Sequence, residues 1–96
     1  MSEWENYSDA AELLRAMAHP VRICIVRGLI EKPSNVSSIY HCLELPQSTV
    51  SQHLAVLRSR GIVAGKRQGT EVVYYVRHPL AVKIVNAIIE NGDQEN

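Results

Sequence analysis

The chain contains no apolar run long enough to span a membrane, no internal repeat and no low-complexity segment, so neither a membrane span nor a repeat array is expected. Its opening residues, Met1-Ser2-Glu3-Trp4-Glu5-Asn6, are acidic instead of basic and apolar. No signal peptide is therefore expected, and the expected location is cytoplasmic. Only two cysteines are present, Cys24 and Cys42, with no CxxC and no even framework of closely spaced bridges, which excludes a disulfide scaffold and fits a reducing compartment. Gly-x-Ser-x-Gly, a Walker loop and Cys/His spacing typical of zinc are all missing. Ser51 and His53, two apart on a predicted helix, do not face each other. An enzyme is not expected.

Ninety-six residues make one domain, expected to span 1–96. A chain of that size buries only about 60–65% of its unfolded surface, so an oligomer would help a thin core. Net charge is zero, with ten basic residues against ten acidic ones, but the balance hides a segregation. Between Gln47 and His78 stand Arg58, Arg60, Lys66, Arg67 and Arg77 against the single acid Glu71. Glu3, Glu5, Asp9 and Glu12 load the front, and Glu90, Asp93 and Glu95 the tail. A basic third inside a neutral chain points to a face for nucleic acid better than the total does.

Within that third, Gln47 to Arg60 reads as a helix with a narrow apolar stripe. Val50, Leu54 and Leu57 recur at i, i+4 and i+7, while Gln47, Ser48, Thr49, Ser51 and Gln52 are polar groups facing elsewhere. Arg58 and Arg60 suit the last turn and Gly61 the position beyond it. Upstream, Met1 to Tyr7 reads as a loose arm, taken as 1–8, with Trp4 and Tyr7 large enough to dock on something. Asp9 and Glu12 resemble a capping box for a first helix from Asp9 to Ala18, with Ala10, Leu13, Leu14 and Met17 on its apolar side. His19-Pro20 opens a second, nearly all-apolar helix ending at Pro33. Ser37 is the expected N-cap of a short third helix through Ile39, Tyr40 and Leu43, and Glu44-Leu45-Pro46 a tight connection into the polar helix. That is a helix-turn-helix.

After Gly61 the pattern becomes extended. Ile62–Ala64 and Glu71–Arg77 predict a β-hairpin whose tip, Gly65 to Thr70, carries Lys66, Arg67 and Gln68 toward phosphates or a minor groove. His78-Pro79 starts a last helix with an apolar arc too wide for one neighbour, and residues 92–96 form an acidic tail. The fold class predicted is mainly α (α+β): a winged helix-turn-helix of about five helices with a two-stranded wing, paired as a homodimer through the last helix.

Leu14-Arg15-Ala16-Met17-Ala18-His19-Pro20-Val21-Arg22, Gln47-Ser48-Thr49-Val50-Ser51-Gln52-His53-Leu54, and Arg67-Gln68-Gly69 with Val73-Tyr74-Tyr75 resemble the ArsR/SmtB family of winged-helix repressors, over roughly Asp9 to Ile89. The resemblance implies a homodimer joined by its first and last helices that binds double-stranded operator DNA and represses transcription. It places Gln47, Ser48, Thr49, Ser51, Gln52, Arg58, Lys66, Arg67 and Gln68 at the DNA, and Leu13, Leu14, Leu80, Ile84, Val85, Ile88 and Ile89 at the dimer interface. His53 has two readings, a further DNA contact or a buried group bonded across the helix-turn-helix.

The metal sites that the resemblance implies are not supplied by this chain. Asn35, Ser37 and Tyr40 stand where thiolates would begin the third helix, and His78, Leu80, Asn91 and Gln94 where a zinc or cobalt site would lie. Neither set makes a tetrahedral site, so no metal and no cofactor are expected. Cys24 and Cys42 form a candidate redox pair, although free cysteines in apolar sequence are expected to be buried and inert. The alternative function is a winged helix whose polar helix docks protein instead of DNA.

Overall fold

A computed structural model describes residues 2–92. The predicted tail at 92–96 falls, apart from Gly92, outside the described residues. The arm expected to be loose is instead a 3₁₀ helix, Glu3–Tyr7, because the Glu5 carboxylate accepts the Ser2 N–H at 2.7 Å and closes the first turn. It runs straight into α1 (Ser8–Met17), so Asp9 forms no cap there. Glu12 is engaged elsewhere, by Arg15 at 2.6 Å and Arg60 at 3.2 Å.

Two helices open with the same device. His19 precedes α2 (Pro20–Glu31) and His78 precedes α5 (Pro79–Glu90). In each case the imidazole Nδ1 accepts a backbone N–H two residues on, and proline takes the first helical position, where its missing N–H costs nothing. Helix α2 lies at the centre, packed on α1, α4, α5 and the wing.

Helix α3 (Val36–Leu43) begins earlier than a Ser37 cap would allow. Asn35 is the cap: its Oδ1 accepts the Ser38 N–H at 2.8 Å while its Nδ2 donates to the Glu71 carboxylate on the wing. Glu44 then takes a left-handed φ of 59°, and the chain turns into α4 (Gln47–Ser59). The end of α4 is a Schellman motif. Gly61 at φ 72° donates its N–H to Arg58 O, and Ile62 donates to Leu57 O at 3.0 Å.

That turn delivers the chain into β1 (Val63–Gln68), paired antiparallel with β2 (Glu71–Val76) in the register Val63 with Val76 and Gln68 with Glu71. Only Gly69 and Thr70 form the tip, with Gly69 at φ 65° in the first central position, as a type II′ turn requires. Ser34, ahead of α3, pairs with Tyr74 as an extra bridge on β2. One core serves the five helices and the wing: Leu13, Ala16 and Met17 from α1, Ile25, Val26 and Leu29 from α2, Ile39, the α4 stripe, Ile62, Val63, Ala81 and Val85.

Candidate nucleic-acid interface

The α4 stripe is fully interior, with Val50 and Leu57 at 0% exposure and Leu54 at 4%. Burying it turns Gln47, Ser48, Ser51 and Gln52 outward and leaves Thr49 half-buried. No side chain caps the start of α4, where Pro46 stands at the N-cap, so the amides of the first turn are not occupied by a protein side chain. Polar groups on one side and orphan amides at one end suit base edges and phosphates respectively.

The basic residues of the wing stand on strand β1, not in a loop. The pairing extends to Gln68 because β-branched Val72 and Val73 oppose Arg67 and Lys66 and continue the ladder. Strand alternation then separates them. Lys66 and Gln68 share one face, and Arg67 shares the other with Val72 and Tyr74. Gly65 opposes Tyr74, and a Cβ there would stand 2.8 Å from the Val72 side chain and 3.1 Å from the Tyr74 ring. The ring in turn lies 5.5 Å beneath the Arg58 guanidinium, a cation–π contact that ties the end of α4 to the wing.

His53 is half-buried, and its bond does not cross the helix-turn-helix as the second reading expected. Its Nδ1 accepts from Arg22 Nε at 3.1 Å, and Arg22 NH1 also donates to the Ala16 carbonyl at 3.1 Å. The partner is therefore on α2, outside the helix-turn-helix pair. Burial first, then the neighbouring His19 and Arg22, holds the His53 pKa below its ordinary value.

Two interface residues are elsewhere than expected. Leu13 at 5% and Val85 at 0% exposure are spent in the core of the single chain, since the helical phase that presents Leu14 and Leu80 turns them inward. Leu14 and Leu80 are exposed, and Ile84, Ile88 and Ile89 half-buried. Trp4 and Tyr7 are also exposed, at 70% and 59%.

Both cysteines are on the surface, against the expectation of burial. The core side of α2 is set by Ile25, Val26 and Leu29, which leaves Cys24 on the side of Gly28 and Glu31; Cys42 lies beside Ser38 on the outer side of α3. The two line one cleft of about 520 Å³ between α2, α3 and β2. Among the described residues no three His, Cys, Asp or Glu side chains gather, and His78 Nδ1 is engaged in its cap. No helix among them is long and apolar enough to cross a membrane.

Residues 19–64, from the α2 cap through the helix-turn-helix to the first wing strand, match the family model described as bacterial regulatory protein, arsR family. The transcriptional repressor PagR of Bacillus anthracis is 43% identical over 90 residues, covering 90% of this chain and 90% of that protein. The chain belongs to the arsR family. It is a winged-helix regulatory protein and not an enzyme. Another relative, the HTH-type transcriptional repressor SmtB of Mycobacterium tuberculosis, is 45% identical over 90 residues, covering 93% of this chain and 67% of its own length. The crystal structure of PagR superposes with a TM-score of 0.82 at 42% identity, covering 90% of this chain and 99% of that one.

Proposed function

We propose that this arsR-family protein is a dimeric transcriptional repressor, one domain per chain, that reads an imperfect inverted repeat in double-stranded DNA. The observation that carries the reading is the outer side of α4. Gln47, Ser48, Thr49, Ser51 and Gln52 line a helix whose opposite side is sealed into the core, next to a basic wing. Gln52 and Gln47 suit adenine edges, the Thr49 methyl suits thymine, and Arg58, Lys66, Arg67 and Gln68 suit phosphates or the neighbouring minor groove. Relatives bearing the name of transcriptional repressor over nearly the whole chain support the same reading.

Pairing is supported by apolar surface that the single chain leaves uncovered. Leu14 and Leu80 are half exposed, at 52% and 41%, and Ile84, Ile88 and Ile89 stand in reserve beside them. A two-fold axis through such a face would set two α4 helices about 34 Å apart, one turn of DNA. The protein acts in the cytoplasm, at the nucleoid, without a metal.

Arg67→Ala tests the wing. It is expected to weaken operator and random duplex equally and to reduce the salt slope by about 1 for each phosphate that Arg67 neutralises. Weakening confined to the operator would move Arg67 from phosphate binding to sequence reading.

Exposure of both thiols on one cleft favours a second reading, that DNA binding responds to oxidation. Hydrogen peroxide would pass one oxygen to either thiol, giving a sulfenic acid and water. Peroxide treatment is expected to lower operator affinity in the native protein and leave a Cys24→Ser, Cys42→Ser double variant unchanged. Equal responses would reject the thiol switch.

A further inference from the structure

His53 directly follows Gln52 on α4, yet its ring leaves the DNA side and joins a cluster at the junction of α1 and α2. The His19 ring lies 4.3 Å away, centroid to centroid and tilted by 50°. Arg22 holds His53 Nδ1 with Nε, and with NH1 holds the carbonyl of Ala16 near the end of α1. One guanidinium thus fastens the reading helix to both helices behind it. Accepting from Arg22 requires Nδ1 to carry no proton, so the neutral imidazole must keep its single proton on Nε2. A second proton would replace the acceptor with a donor and set a cation against the guanidinium.

We infer that Arg22 is a positioning residue for DNA reading, and that its bond to His53 makes operator binding depend on His53 being neutral. The inference rests on the DNA reading of α4. Among the described residues nothing packed against His53 compensates the extra charge. Helix α2 and its cap present Arg22 and His19; on α1 the carboxylate turned toward α4 is Glu12, held by Arg15 and by Arg60 two turns further along α4. His41 and Glu44, at the end of α3, are exposed, and β1 offers only the cations Lys66 and Arg67. The depressed pKa of His53 has the same origin, burial first and then His19 and Arg22. A depressed imidazole pKa means that the unfolded chain binds the proton more readily. Stability from this cluster is complete above about pH 6.5 and falls as the pH drops from there through the folded value.

Base contacts tolerate little movement of their carrier, with productive geometry held within about 0.5 Å. Repulsion at His53 therefore reaches Gln52 directly. Operator affinity measured from about pH 7.5 to pH 5.5 is expected to fall, by up to about tenfold per pH unit per protomer below the His53 titration. His53→Gln keeps an acceptor oxygen for Arg22 without titrating, and its profile is expected to be flatter. Arg22→Met removes the donor, so affinity at pH 7.5 should already be reduced and the remaining fall shallower; thermal unfolding at pH 7.5 verifies that each variant is folded. Matching profiles for the native protein and His53→Gln, or the full slope persisting in Arg22→Met, would overturn the inference while leaving DNA reading intact. No DNA binding at pH 7.5 would overturn both.

Discussion

Leu57→Ala is expected to cost about 3 kcal/mol of folding stability, within the range of about 2–5 for a buried leucine cut to alanine. Leu57 has no exposed surface, completes the Val50–Leu54–Leu57 stripe, and accepts the Ile62 N–H that ends α4. Its removal leaves a cavity in the core that α4 shares with the other helices, and a small core has few neighbours able to fill it. Against a total stability of about 5–15 kcal/mol, that is a large fraction. The check is a denaturant titration at fixed protein concentration, since the midpoint of a chain that pairs would depend on it. The midpoint should drop with little change in slope. A loss under about 1 kcal/mol would mean that α4 is not seated through this side chain.

Gln52→Ala is expected to act on recognition instead of folding. Gln52 is exposed, makes no hydrogen bond within the chain among the described residues, and adjoins the anchored His53. A glutamine held in that way suits a bidentate contact to adenine, worth about 1–3 kcal/mol of discrimination per half-site. The variant should lose affinity for the operator and keep its affinity for random duplex, with an unchanged unfolding midpoint. Equal losses on both duplexes would remove Gln52 from the base-reading set.

Much of this is legible in the residue order because local rules decide it. The stripe of α4, the glycine that ends it, the His-Pro helix starts and the hairpin each follow from spacing or backbone preference within a few residues. Where partners are distant in the chain, local rules mislead. Ser37 has the residue type for the cap of α3, but Asn35 holds that place with help from Glu71, 36 residues away. The orientation of His53 depends on Arg22, 31 residues away. Helical phase explains a second group of differences. Residue type suggests that Cys24 and Cys42 are buried and that Leu13 and Val85 face a partner, whereas the side of each helix taken by the core decides the reverse. For the wing, the glycines at 65 and 69 suggest a long tip; the pairing of Lys66 and Arg67 with two valines makes it strand.

Binding of DNA by the outer side of α4 and the wing, as proposed, must depend on sequence. The most direct measurement is affinity for a duplex selected from a random pool, compared with a scrambled duplex, between about 50 and 200 mM salt. Tighter binding to the selected duplex is expected, and for both a log–log decline of about 0.9 per neutralised phosphate. Binding indifferent to salt, or no preference for any selected sequence, would contradict it and make the polar side of α4 a surface for another protein.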